Sequence, residues 1–176
     1  PFIIDVNYQK VVDTQVGDCR ALSRTDWDSY ETSWDFTELP LLKRQYCGEL
    51  QQAYMQWMGE CNKRFYQLKA NEEELNRIFA GIYGMQDEVT IEVPLDKVSV
   101  HYVVDAMDDL PESWGSTSYV RTKRDEVVSL ISYAVGCMMG RYSLDRPGLI
   151  LANQGDGLDE YRDQVPNPTF QPDADG

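Results

Sequence analysis

The feature that most constrains this chain is a long apolar period. Leu42, Tyr46, Leu50, Tyr54, Trp57, Cys61, Phe65 and Leu68 follow one another at steps of four, four, four, three, four, four and three. Residues so spaced share one face of an α-helix. Pro40 suits its first turn, and a helix from Leu41 to Lys69 would run roughly 40 Å. Gly48 and Gly59 would weaken it or let another backbone come close. A second helix is expected immediately after. Asn71 and Glu74 have the spacing of a capping pair, Leu75, Ile78, Phe79 and Ile82 form a stripe, and Gly84 is a natural stop. The pair predicts a long helical hairpin.

The flanks are different. "FIIDVNYQKVV" at 2–12 has strand composition, broken by Gly17-Asp18. "SRTDWDSYETSWDFTELP" reads as a structured loop or short helical turns, with Trp27, Trp34 and Phe36 expected to plug a core or a domain seam. Val89, Ile91 and Val93 alternate, Pro94 interrupts, and Val98, Val100 and Tyr102 alternate again, which allows one or two strands. Residues 105–118 are acidic and turn-rich and read as a surface loop. A helix is expected from Thr122 to Arg141. The fold class is therefore mainly α with a minor β component: a long helical hairpin, a buried core helix and a few short strands.

That core helix lies in "ISYAVGCMMGRYSLDRPGLILAN", residues 131–153. The apolar run from Val127 to Gly140 is shorter than the ~20 residues a bilayer requires, so no membrane span is expected. Apolar nearly all round, it reads as central. Gly136 and Gly140 would let a neighbouring helix approach closely, and Arg146-Pro147-Gly148 closes the segment with a turn. From Asn153 the chain has no period and reads as an extended or poorly ordered acidic, Pro-rich tail. The expected division is 1–152 as scaffold and 153–176 as connecting tail.

With 176 residues the chain can bury a core without metal or disulfides. Its 16 basic and 30 acidic residues leave a net charge of −14, which repels phosphate and opposes unaided nucleic-acid binding. Cys19, Cys47, Cys61 and Cys137 are widely spaced and form no CxxC. Cys47 and Cys61, fourteen residues apart on one helix, would stand about 21 Å apart, too far to bridge. Reduced thiols and a cytoplasmic location are expected. The sequence opens without methionine and ends "FQPDADG", so a piece of a longer protein is expected.

Chemistry-bearing patterns are sparse. Asp26, Asp28, Glu31 and Asp35 are candidates for metal binding or acid–base work, but Ser and Asp before a helix are ordinary caps. His101, the single histidine, has no partner visible in the sequence. "DGLDE" at 156–160 lacks the spacing of a calcium loop. "NPTF" at 167–170 approaches the Asn-Pro-Pro-aromatic motif that holds a flipped adenine, yet Thr169 replaces the second proline. No apolar strand leads into it, and no glycine-rich loop precedes it. No catalytic, cofactor-binding or metal residue is assigned. Arg121, Lys123, Arg124 and Arg141 are the candidates for local DNA contact. A flank at a helix start and a cation at a helix end explain them better.

Three segments carry a resemblance: "LSRTDWDSYETSWDF" (22–36), "NEEELNRIFAGIYGMQDEVTIEVPL" (71–95) and "ISYAVGCMMGRYSLDRPGLILANQGD" (131–156). In this order the chain resembles the adenine-specific DNA methyltransferases of BREX phage-defence systems, the PglX family, and is similar to type IIG restriction–modification proteins. The resemblance implies a parent that uses S-adenosylmethionine to methylate adenine in a specific DNA site. It places this region after the catalytic core, as a non-catalytic spacer leading to target recognition. Its partners would be the remaining domains of the parent and, through them, DNA. Two other classes stand beside this reading. One is an acidic interaction module or DNA mimic, in keeping with the charge. The other is a small hydrolase, for which no site is found.

Overall fold

The computed structural model describes residues 6–43, 48–114 and 119–173. Among them, four α-helices and two short strands follow in the order α1 (Val6–Trp27), α2 (Leu50–Tyr83), β1 (Tyr102–Val104), β2 (Val120–Thr122), α3 (Lys123–Met138) and α4 (Leu158–Gln164). The fold is mainly α with a minor β component. The chain divides into two units, 1–27 with 58–122 and 28–57 with 123–176. Each is assembled from two separate stretches.

In the first unit, the hairpin expected between 41–69 and 71–82 does not form, because α2 is one uninterrupted helix. Asn71 does not cap. Its buried side chain accepts a hydrogen bond from Gln67 one turn earlier, and Glu74 pairs with Arg77. The helix ends at Gly84 as expected. Gly84 has φ +66°, and the Met85 and Gly84 N–H groups return to the carbonyls of Ala80 and Gly81, the paired closure that a left-handed residue permits.

The helix pair that does form joins α1 to α2. Asp26 lies against Arg64, and Cys19 lies beside Asn71 and Glu72, so the two run antiparallel. Residues 6–12, read as strand, begin α1, while 1–5 lie outside the described residues. Gly17 does not break the helix, since it sits on the exposed side with open space around it. The inward face carries Val12, Gln15, Cys19, Leu22 and Asp26, a helical spacing written partly in polar residues.

Phe65 and Leu68 of α2 pack with Val98, Val100 and Trp114 to form the core of this unit. Trp114 stacks on Phe65 at 5.2 Å between centroids. The acidic segment read as a surface loop therefore supplies a core residue, held in a 3-10 turn, Glu112–Trp114. Val98 and Val100 are buried while Ser99 is exposed, so the alternation is real, but only 102–104 join a ladder. The segment before it is fixed by the helix. Glu73 accepts from the Val93 N–H at 3.0 Å, and Asn76 donates to the Ile91 carbonyl at 3.1 Å. Backbone groups satisfied in this way have no call for a partner strand. β2, which sequence reasoning missed, pairs parallel with β1 in the register Tyr102–Val120, Val103–Arg121 and Val104–Thr122.

In the second unit, Pro40–Leu42 is a 3-10 turn and α2 starts at Leu50, later than expected. Tyr46 and Cys47 lie outside the described residues. The start of α2 buries Ala53, Tyr54 and Trp57. Of the aromatics expected in a core, Phe36 is buried, whereas Trp27 is exposed and Trp34 is 93 % exposed.

Helix α3 is not buried all round. Glu126, Tyr133, Gly136 and Cys137 face inward, while Val128, Ile131, Val135 and Met138 are about half exposed. It stops at Gly140, where φ is +73°. The two glycines receive no helix: a Cβ on Gly136 would stand 2.5 Å from the Tyr142 ring, and one on Gly140 would stand 2.8 Å from Leu151. After Asn153 the chain is not structureless. α4 buries Tyr161, which packs with Ile150 and Val165.

Candidate functional site

The most organised polar cluster of the first unit centres on Asp26, at the end of α1. Its Oδ1 accepts from Arg64 Nη1 of α2 at 2.9 Å. Its Oδ2 lies 2.7 Å from His101 Nδ1 and accepts the His101 backbone N–H at 3.2 Å. Asp26 and Arg64 are both buried. His101 thus has the partner its sequence context hid, because Asp26 is 75 residues away. The cluster ties α1, α2 and the approach to β1 together. A buried charge with this many partners is a brace. Two residues before Arg64 on α2, Asn62 brackets a single residue of β1, accepting from the Val103 N–H at 2.9 Å and donating to its carbonyl at 3.0 Å. It stands in for the missing edge strand.

The four carboxylates proposed as a metal or acid–base group do not converge. Asp26 is engaged as above. Asp28 accepts from the Ser33 hydroxyl at 2.7 Å, and Glu31 accepts from Ser132 at 3.1 Å. The backbone N–H of Asp35 donates to the Ser33 hydroxyl in a local turn. Among the described residues no group of three or more His, Cys, Asp or Glu side chains is placed to hold a metal ion.

In the second unit an aromatic cluster forms where α3 ends. The Tyr133 and Tyr142 rings stack at 5.0 Å, and Phe36 meets both edge-on. The Tyr133 hydroxyl donates to the Ser143 carbonyl at 3.3 Å. Burial, reinforced by Cys137, pushes that hydroxyl far above its ordinary range, so it stays protonated. Burial likewise raises the Cys137 and Cys19 thiols, which leaves them poor nucleophiles. Trp57 donates its indole N–H to Glu126 at 3.0 Å inside the same unit. A cavity of about 820 Å³ opens beside the cluster, lined by Glu38, Lys43, Tyr133, Asp145 and Arg146 among others. Its charges are mixed in sign and do not select one ligand class.

Of the basic residues, Arg121 lies in β2, and Lys123 and Arg124 open α3. Lys123 stands 5.2 Å from the Tyr54 ring, and Arg141 stands 5.4 Å from the Tyr142 ring. Arg124 and Arg141 flank α3 at opposite ends, about 25 Å apart, so they form no shared patch.

"NPTF" is occupied structurally. The Thr169 N–H and hydroxyl both donate to Asp145, each at 2.6 Å. The threonine that replaces the expected proline is thus the residue that pins the segment. A cofactor cradle of the strand, glycine loop and helix kind does not fit either, because β2 passes into α3 without a glycine. Among the described residues no helix is long and apolar enough to cross a membrane.

The chain is mainly helical with a minute sheet, and each of its two units is built from two separate stretches of sequence. The chain is a homologue of a segment of the adenine-specific methyltransferases of BREX systems. It is 40% identical over 149 residues to the adenine-specific methyltransferase PglX of Lacticaseibacillus casei (strain Zhang), an alignment covering 82% of this chain and 11% of that protein. It is 32% identical over 157 residues to the adenine-specific methyltransferase BrxX of Escherichia coli O9:H4 (strain HS), covering 88% of this chain and 12% of that protein. The chain thus spans about a ninth of the length of these relatives. No protein-family model matches it.

Proposed function

We propose that this chain is a non-catalytic structural region of a site-specific adenine DNA methyltransferase, linking the catalytic core to target recognition. The observation that carries this reading is the asymmetry of the homology. It takes in more than four-fifths of this chain but only about a ninth of each relative. The site chemistry supports it: the one stretch resembling a base-holding motif is tied down by Asp145, and the buried charges serve as braces. In this reading S-adenosylmethionine and the adenine are handled elsewhere in the parent, in the cytoplasm, as part of phage defence. Residues 1–152 act as scaffold and 153–176 as the connection onward. Arg121, Lys123, Arg124 and Arg141 touch DNA at most locally.

The test is methyl transfer from labelled S-adenosylmethionine to DNA carrying the parent's site. The full-length protein is expected to label the DNA, and this chain alone is not. Transfer by this chain alone would overturn the non-catalytic role. The net charge of −14 favours a second reading, an acidic module that mimics DNA. That reading requires tight, salt-sensitive capture of a DNA-binding protein in competition with DNA.

A further inference from the structure

Residues 166–173 form neither helix nor strand, and none of them is buried. No core holds such a stretch, so ordering it costs conformational entropy that burial does not offset. It is nevertheless fastened at two points. Thr169 gives both its N–H and its hydroxyl to Asp145, each at 2.6 Å. Four residues on, the Asp173 N–H donates to the Met138 carbonyl at 2.8 Å, in the last turn of α3 where helical partners run out. Pro172, just before that anchor, lies over Gly140, on which a Cβ would stand 3.5 Å from the proline Cβ. Pro166, Pro168 and Pro172 make three of these eight residues proline, which fixes φ at each and stiffens the segment. A stiff segment held at one point swings about it; held at two, it keeps one direction. Both anchors belong to the second unit, at the end of α3 and in the loop that follows.

We infer that residues 166–173 are a strap that fixes the heading of the connection toward target recognition, with Asp145 as its positioning residue. The inference rests on the structural role proposed above and names the contact through which that role is exercised. Asp145 acts through Thr169 and touches no reacting group. It is exposed, so truncating it leaves neither a cavity nor an unpaired buried charge, and the unit around it still folds. Because the strap buries no side chain, it opens locally, without the core. Its attachment is therefore a property separable from the stability of the second unit.

The experiment compares Asp145→Ala, Thr169→Val, Thr169→Ser and Gln164→Ala in the full-length protein. Gln164 donates to the Ile150 carbonyl and accepts from Arg146. It holds α4 rather than the strap, so its variant controls for a general loosening of the unit. Two quantities are read: hydrogen exchange at residues 166–173, and the fraction of the parent's sites methylated in cellular DNA at matched protein levels. Asp145→Ala should speed exchange at Thr169 at least about fivefold, the order that one lost hydrogen bond gives. It should also lower methylation at least about tenfold, within the roughly hundredfold that a misplacement of about 1 Å costs. Thr169→Val should act in the same direction. Thr169→Ser, which keeps both donors, and Gln164→Ala should leave methylation unchanged. Unaltered exchange at Thr169 in Asp145→Ala would overturn the strap. Faster exchange with unaltered methylation would overturn the positioning role, as would an equal loss of methylation in Gln164→Ala. Methyl transfer by the 176-residue chain alone would defeat the proposed function, while the exchange measurement reads the strap by itself.

Discussion

The two units reach order by different means. The first recruits polar side chains to finish what its backbone leaves undone. Asp26 gathers Arg64 and His101, Asn62 closes both sides of Val103, and Glu73 and Asn76 hold the strand-like run before β1. The second relies on shape. Tyr142 lies on the bare backbone of Gly136, Tyr133 stacks on Tyr142, and Phe36 fills the angle between them. Polar recruitment fails sharply when one partner is lost, because the others remain buried. Shape fails when volume is added.

The largest effect tests the polar side. Asp26→Ala removes the buried carboxylate that Arg64 and His101 both engage, a loss of about 3–5 kcal/mol. Hydrogen exchange should show the amides of Val100 to Val104 losing protection while those of Tyr142 to Ile150 keep theirs. Equal loss in both would remove the distinction drawn here. Asn62→Leu comes next. It strands one N–H and one C=O of β1, each costing about 1–3 kcal/mol when unpaired, and exchange at Val103 should report it.

Gly136→Ala tests the other unit. The added methyl meets the Tyr142 ring and costs about 1–3 kcal/mol through overpacking. Combining it with Tyr142→Leu should recover part of the loss in denaturant unfolding. No recovery would mean the glycine serves the helix end instead.

The smallest effect is a pH dependence. Hydrogen bonds from Lys69 and then from the Val93 N–H hold the Glu73 carboxyl below its ordinary value of 4.5. An acid depressed in the folded state stabilises above its unfolded pKa, and that contribution fades as pH falls through the folded value. Glu73→Gln should therefore destabilise slightly at neutral pH and flatten the unfolding midpoint below about pH 4.5. Glu72 works in the opposite sense, since burial raises its carboxyl. A steeper acid loss in the variant would contradict the assignment.

The same contrast explains what could be read in advance. The α2 face from Tyr54 to Leu68 was plain because its residues are large, apolar and regularly spaced. Gly84 was plain because only a left-handed residue closes a helix so tightly. The inward face of α1 was hidden because it includes Gln15 and Asp26, and the partners of Asp26 lie far along the chain. The run 88–94 alternates like a strand, yet its backbone partners are helix side chains, which no local period reports. β2 is three residues long and leads straight into α3, so nothing marks it. Helix α3 was taken as buried throughout because apolarity shows what a face prefers and is silent on whether this chain covers it. For the site, the basic residues and the NPTF stretch could be named from sequence. The Asp145 tether and the His101–Asp26 pairing depend on contacts between distant positions.

The interleaving of the two units sets a schedule for synthesis. Neither unit can be completed from a continuous stretch of nascent chain. Phe36 emerges early and must wait for Tyr142, on the order of ten seconds at ribosomal speed. Asp26 is likewise without its full set of partners until His101 appears. Through that interval the early stretch of the second unit waits for its later one, so a pause in translation between Trp57 and Lys123 would lengthen the time in which Phe36 is exposed to misassembly.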